Sequence, residues 1–414
     1  MKFLPALAIL AVVMMGCHKN NDDAPSTAPG NLVYLETNDA AGNAILGYMQ
    51  QADSTLTPLP GSPFSTGGKG LDNPTQALGP DDADNEVVIT ADNKFLLAVN
   101  AGSRSIAVFR ISSNGSLTAV AGSPFNAGGP NPESIAISGD YVYIANKGTN
   151  DPIASGNEPN YTVMKMDANG VLTPVDNSTI KAISGSSPSQ ALLSNDGHFL
   201  FGTDFLGFML KPAQGSLRSF AIGTDHKLTI ASAPIVIPGM GGALGLWQHP
   251  SANILYVGFP VLAKVAVYNI DPASGALSFS KTVDAGPAAC WLRTSRDGKN
   301  LYSLNSGENS ISIFNTSIPA SPSVIGKLTL KNSGPLYMAM GNSFTTSQDF
   351  SFEFSRDGKF CYVVSQYTNP DFTLGNYNLL HVLTVGPDGL LSEPGNPVTL
   401  PVSATVRPQG VVTL

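Results

Sequence analysis

The chain has 414 residues, of which 22 are Lys or Arg and 30 Asp or Glu, a formal net charge of −8. With no basic cluster, that balance excludes nucleic acid as a partner. Charged residues make up 13% against the ~25% usual in soluble proteins, and Gly, Ser, Thr and Asn take their place, which suits many short strands and tight turns.

Residues 1–16 join a charged start at Lys2 to an apolar run over 3–15. The run is too short to span a bilayer as a mature helix and reads as a signal peptide. It ends Met14-Met15-Gly16-Cys17, which resembles the bacterial lipoprotein box. The resemblance implies lipidation of Cys17 and anchoring in the bacterial cell envelope, and His18 rather than Asp after the Cys implies the outer membrane. Residues 17–30 then form the lipidated Cys and a polar tether. Only Cys290 and Cys361 remain after processing; they are expected as buried thiols, and no Cys/His spacing suggests zinc.

From residue 31 onward one phrase recurs: an apolar strand, a Ser or Thr, an Asp-Gly-Lys-like turn and a second apolar strand. Its turns are Thr90-Ala91-Asp92-Asn93-Lys94, Ser138-Gly139-Asp140, Ser194-Asn195-Asp196-Gly197-His198, Ser251-Ala252-Asn253, Asp297-Gly298-Lys299 and Asp357-Gly358-Lys359. The spacing of roughly 45–60 residues is that of a four-stranded blade repeated around an axis. The third strands alternate as half-buried strands do, as in Ile106-Ala107-Val108-Phe109 and Ile311-Ser312-Ile313-Phe314.

At the C-terminus, Pro408-Gln409-Gly410-Val411-Val412-Thr413-Leu414 has the form of a first strand without a second, while Asn31-Leu32-Val33-Tyr34-Leu35 has the form of a second strand without a first. Pairing the two closes a ring and removes its sheet edges. The expected fold is therefore all-β, a single seven-bladed β-propeller over 31–414.

Connections from first to second and third to fourth strands are uniformly short and share one face. The other face carries the long connections at 62–85, 147–160, 204–215, 331–349 and 366–376. Long, variable loops on a rigid scaffold are where binding residues sit, so the second face is the expected working surface. Where strands open from it, Glu86, Glu133, Gln190 and Gln409, together with Trp291, Arg293, Trp247 and His249, offer a mixed polar and aromatic lining for a small polar ligand. The dense acidic stretch Asp81-Asp82-Ala83-Asp84-Asn85-Glu86 is either a solvated loop or, through Asp82 and Asp84, a Ca²⁺ site. No other cofactor is expected, and no nucleophile motif is present.

These repeats resemble the bacterial lactonase-like seven-bladed propellers, which include propeller-type 6-phosphogluconolactonases and relatives of muconate cycloisomerases. The resemblance rests on the Asp-Gly-Lys turns, on Leu301-Tyr302 and Phe360-Cys361-Tyr362-Val363, and on the twin phrases Leu117-Thr118-Ala119-Val120-Ala121-Gly122-Ser123-Pro124-Phe125 and Leu56-Thr57-Pro58-Leu59-Pro60-Gly61-Ser62-Pro63-Phe64. It implies the fold and, for an enzyme, a lactonase-type hydrolase. The family's Pro-Arg-His opening is missing: Ala289-Cys290-Trp291, Pro132-Glu133-Ser134 and Pro188-Ser189-Gln190 stand in its place, so no catalytic residue is carried over. The leading expectation is a lipid-anchored propeller that binds a small polar ligand, a glycan or an envelope protein through its long-loop face. The alternative is a lactone hydrolase using Glu86, Glu133 or His249.

Overall fold

The recurring turn supplies its own hydrogen bonds. In the computed structural model, which describes residues 31–71, 83–148, 158–235, 239, 241–339, 341–369 and 371–414, Thr90, Ser194, Ser295 and Ser355 each donate a hydroxyl to the Asp two residues on, at 2.6–2.8 Å. The same Asp accepts the backbone N–H of Lys94, His198, Lys299 or Lys359. The hydroxyl also accepts from the first N–H of the next strand, as in Phe95 and Asn300, both at 3.0 Å. Between them sits a left-handed residue, Asn93, Gly197, Gly298 or Gly358, where an ordinary side chain would be strained. The signal peptide expected at 1–16, Cys17, the tether expected to residue 30 and Asp82 lie outside the described residues.

Among the described residues the strands form seven antiparallel blades, each stepping outward from the ring axis. We number them from the one that contains the N-terminal strand. The inner strands of blades 2 to 7 are Val87–Ile89, Pro132–Ser138, Pro188–Leu193, Leu246–Gln248, Ala289–Thr294 and Ser347–Phe354. Blade 1 has Gln409–Thr413 innermost, followed by Leu32–Glu36, Ala44–Gln50 and the short outer strands Leu56–Pro58 and Phe64–Ser65. Closure therefore runs as expected. Val33 faces Thr413, Tyr34 faces Val412 and Leu35 faces Val411, and Leu32 and Leu414 exchange two backbone hydrogen bonds of 2.9 Å. A hairpin, Leu336–Ala339 with Asn342–Thr345, is inserted between blades 6 and 7.

Among the described residues seven buried apolar clusters hold the ring; six lie between two consecutive blades, and the one between blades 6 and 7 also takes in Phe205, Leu206 and Leu244 from the segments after blade 4's second strand and before blade 5. The one between blades 7 and 1 joins Tyr362, Val364 and Leu380 to Val33, Leu35 and Val411, so the closing interface is packed like the others. Burial at this level contributes about 1.5–3 kcal/mol per large apolar side chain. A second-strand tyrosine adds a polar tie in several blades. Tyr34 donates to Gly115 O (2.7 Å), Tyr256 to Pro319 O (2.9 Å), Tyr302 to Gly389 O (2.8 Å) and Tyr362 to Gln50 Oε1 (2.6 Å), each reaching the following blade. Cys290 and Cys361 are buried and form no disulfide, as the sequence suggested.

Candidate functional site: the long-loop mouth of the ring

Five inner strands open with a break in register, at 409/411, 132/134, 188/190, 289/292 and 349/351. Such bulges turn side chains out of the regular pleat, a device common beside binding sites. Here the breaks fall at the long-loop end of the inner strands.

Residues 83–85 cross the centre of the ring before blade 2 begins. Asp84, on the approach to blade 2, receives both terminal nitrogens of Arg293 from blade 6, Nη1 on Oδ2 at 2.7 Å and Nη2 on Oδ1 at 2.8 Å. Gln190 of blade 4 donates to the same carboxylate at 3.2 Å, and Ser134 of blade 3 donates to the Asp84 carbonyl. Trp291 Nε1 donates to Ala83 O. Only a group on the axis can touch blades 3, 4 and 6 together. Both members of the ion pair are sealed from solvent, Arg293 at 3% and Asp84 at 0% exposure.

Arg293 has further partners. It donates to Glu353 of blade 7 at 3.2 Å and lies 4.4 Å over the Trp247 ring of blade 5. These three residues occupy one register level, opposite Tyr302, Tyr362 and Tyr256 respectively. Burial alone would lower the guanidinium's proton affinity, but Asp84 and Glu353 outweigh it and hold Arg293 charged.

Glu86, two residues beyond Asp84, is in the opposite situation. It is buried, and neither carboxyl oxygen has a hydrogen-bond partner among the described residues. Burial, and then the charges of Asp84, Glu36 and Glu133, push its pKa well above the ordinary carboxyl range, so Glu86 is held protonated. Gln409 stands beside it: a Cβ on the adjoining Gly410 would lie 3.0 Å from Glu86 Cβ. Gln409 donates to Glu36 Oε1 at 3.4 Å while its own Oε1 is unpartnered.

Thus Gln190, Trp291 and Arg293 meet around Asp84, and Glu86, Glu133, Glu36 and Gln409 gather on the adjoining side. His249 is not among them. It follows the inner strand of blade 5 on the tight-turn face, where Nε2 faces Gly298 O at 2.9 Å and Nδ1 accepts from Ser251 N at 3.2 Å, so it joins neighbouring turns. Asp84 is engaged by Arg293, and the described residues contain no group of three or more His, Cys, Asp or Glu side chains placed to hold a metal ion.

Blade 7 contributes groups that the repeat phrase did not single out. Gln348 Nε2, both oxygens of Asp349, Ser351 Oγ and both amide atoms of Gln366 are buried and have no hydrogen-bond partner among the described residues. Burial raises the Asp349 pKa well above the ordinary range. Their signal in the sequence was polarity where the strand pattern calls for apolar residues, in Ser347-Gln348-Asp349 and Ser365-Gln366. Nearby, Ser365, His381 and Glu393 form a relay, with Ser365 Oγ to His381 Nε2 at 3.0 Å and His381 Nδ1 to Glu393 Oε1 at 2.7 Å. All three are buried, and the Ser365 hydroxyl also faces Asn309 Oδ1 at 3.1 Å. This relay fastens blade 7 to blade 6 and presents no accessible nucleophile.

A profile of the family described as "Lactonase, 7-bladed beta-propeller" matches residues 72–155. No curated protein matches the sequence. Among solved structures, a candidate 6-phosphogluconolactonase from Bacteroides fragilis is similar with a TM-score of 0.68 at 18% identity, over 94% of this chain and 99% of that one. The periplasmic gluconolactonase of Pseudomonas aeruginosa gives 0.67 at 17%, over 93% and 98%. A second candidate 6-phosphogluconolactonase, from Bacteroides uniformis, gives 0.65 at 18%, over 92% and 99%. With its Asp-Gly-Lys turns and a ring of seven blades closed by its own last strand, the chain is a seven-bladed β-propeller, and its residues 72–155 are similar to the lactonase propellers.

Proposed function

We propose that this protein is a lipid-anchored propeller of the bacterial cell envelope that binds a small polar ligand at the long-loop mouth of its ring. The observation that carries the reading is the set of buried polar atoms gathered at that mouth that have no hydrogen-bond partner among the described residues, Glu86 foremost. Buried polar groups are almost always hydrogen-bonded, and each exception calls for a ligand or ordered water. Anchoring through Cys17 rests on the lipoprotein-like box of the sequence. Metabolic labelling with a palmitate analogue tests it: label lost in Cys17→Ser supports the anchor, and an unlabelled wild-type protein refutes it. Ligand binding is tested by saturation-transfer NMR of the folded protein against sugars, sugar acids, lactones and cell-wall fragments. Failure of every class to bind would sink the reading.

A second reading, a lactone hydrolase, is favoured by one observation. A carboxyl held protonated beside other carboxylates is how a general acid is kept ready near neutral pH, and Glu86 and Glu133 supply that pair. Several similar structures bear gluconolactonase names. Proton release across a lactone panel discriminates: turnover abolished by Glu86→Gln or Glu133→Gln would establish the hydrolase, and none in the wild type would leave binding.

A further inference from the structure

We infer that the tight-turn corner of blades 6 and 7 docks on an anionic phospholipid surface, with Arg296 and Arg356 taking headgroup phosphates and Ile318, Val324, Ile325 and Leu390 entering the acyl boundary. This surface lies on the face opposite the mouth and does not depend on what the mouth binds.

The two arginines are surplus to their turns. Blades 6 and 7 repeat one five-residue phrase, Ser295-Arg296-Asp297-Gly298-Lys299 and Ser355-Arg356-Asp357-Gly358-Lys359. The same turn closes in blades 2 and 4 with Ala91 and Asn195 in the arginine's place, so the fold does not require a cation there. Lys299 and Lys359 pair with the Asp of their own turns at 3.0 and 3.3 Å. Arg296 and Arg356 are exposed and have no carboxylate partner among the described residues, and Arg356 donates to Asn93 Oδ1. Partial burial, and then the charge of Arg296, lower the proton affinity of Arg356, so each guanidinium lies within the other's field. Like charges held side by side are relieved by an anion, and the guanidinium fork fits phosphate oxygens.

Bare apolar side chains share these two blades and this face. Ile318, in the turn between the third and fourth strands of blade 6, is 69% exposed, and Val324 and Ile325 just beyond that turn are 57% and 42% exposed. A register break leaves Ile325 without a cross-strand partner, between Val324 opposite Phe314 and Gly326 opposite Ile313. Leu390, in the corresponding turn of blade 7, is 38% exposed. It leans on blade 6: its Cδ2 lies 2.9 Å from where a Cβ on Gly326 would sit, and Tyr302 of blade 6 donates to Gly389 O at 2.8 Å. Apolar tips on separate turns, with cations beside them, form the kind of surface that a bilayer interface accommodates.

Against Arg296, Lys299, Arg356 and Lys359 stand Asp297, Asp357 and Asp388 of the turns in these blades, so the corner is cationic on a chain whose net charge is −8. A negative surface therefore orients the ring by this corner. The chain's entry into the fold favours lipid over other anions. Leu32 lies on the tight-turn rim, hydrogen-bonded to Leu414, in blade 1 beside blade 7. Residues 18–30 span at most about 45 Å when extended, so the lipid proposed on Cys17 would hold a bilayer within reach of this rim. The long-loop mouth then faces away from the membrane.

The test uses the chain from residue 18, which keeps every strand of the closed ring and carries no lipid, so that the anchor plays no part. Its co-sedimentation is measured with vesicles of phosphatidylcholine alone and with phosphatidylglycerol added. Partition onto the anionic vesicles about tenfold or more above the neutral ones, and cut by about tenfold in Arg296→Gln/Arg356→Gln, supports the inference. So does a comparable loss in Ile318→Asp. Equal partition onto the two vesicles, or a double variant that binds like the wild type, overturns it. Glycerol phosphate that binds in solution as tightly as the anionic vesicles would assign the arginines to a soluble phosphate and overturn the membrane surface. A lipid-free dimer dispersed by Ile318→Asp would show that a second copy covers the corner, and would overturn it as well.

Discussion

On the tight-turn face, Asp92, Asp196, Asp297 and Asp357 each accept a hydroxyl and a backbone N–H from their own turn. At the long-loop mouth, Glu86 and Asp349 are buried with no hydrogen-bond partner among the described residues. The same residue class is spent in opposite ways at the two ends of one strand. Local bonds hold Asp92 and Asp297 down to a pKa of about 2, whereas burial drives Glu86 and Asp349 upward. Carboxylates that complete a turn serve the fold, while carboxyls kept buried and unpartnered cost stability and point to a use beyond folding.

The comparison is broken most severely by removing the closure. Truncation of residues 409–414 strips blade 1 of its inner strand and takes Val411 from the cluster between blades 7 and 1. Loss of the cooperative unfolding transition and of near-UV circular dichroism is expected; a monomeric truncation with a wild-type transition would show the ring to be held otherwise.

Next comes the axial ion pair. Arg293→Ala leaves Asp84 charged in the interior and should cost about 3–5 kcal/mol, read from urea midpoints. Adding Asp84→Ala should recover part of that loss, because the stranded charge goes with it. Additive losses would mean that the two side chains do not act as a pair.

The Glu86 prediction has a definite sign. A carboxyl whose pKa is higher folded than unfolded stabilises the fold below the unfolded value, and that contribution is lost as pH rises through the folded one. Glu86→Gln cannot titrate, so its urea midpoint should gain on the wild type as pH climbs from about 4, by about 1 kcal/mol or more near neutrality. A constant gap across pH would show that Glu86 does not titrate abnormally.

The smallest effects belong to the tight turns. Asp297→Ala should cost about 0.5–1.5 kcal/mol through two lost hydrogen bonds. Lys299→Ala should cost roughly 0–1 kcal/mol, because its 3.0 Å pair with Asp297 is largely exposed. Equal losses for the two would mean that the ion pair, rather than the turn hydrogen bonds, stabilises this face.

The ring was legible because its determinants are local and repeated. Ser295, Asp297 and Gly298 form a turn from their own hydrogen bonds and φ values, so the phrase marks each blade without reference to the rest. The match between Val411 and Leu35 could be read from two half-blades at the chain ends. The mouth was legible only in part. Glu86, Gln190, Trp291, Arg293 and Gln409 could be named from their places at strand openings, but the pairing of Asp84 with Arg293 spans 209 residues and four blades, beyond any spacing rule. His249 could be mistaken for a mouth residue because blade 5 has a three-residue inner strand, Leu246–Gln248, which places it past the strand's far end. Gln348 and Gln366 passed unremarked because their meaning depends on burial.

Leu32 and Leu414 are hydrogen-bonded neighbours at the rim that also carries the tight turns. The circle therefore has no privileged beginning. A few Gly and Ser residues joining Leu414 to Asn31, with new ends cut in an exposed turn such as Asp357-Gly358, would leave the apolar clusters between the blades intact. Cargo fused after Leu414 would leave from this rim and keep the opposite mouth unobstructed.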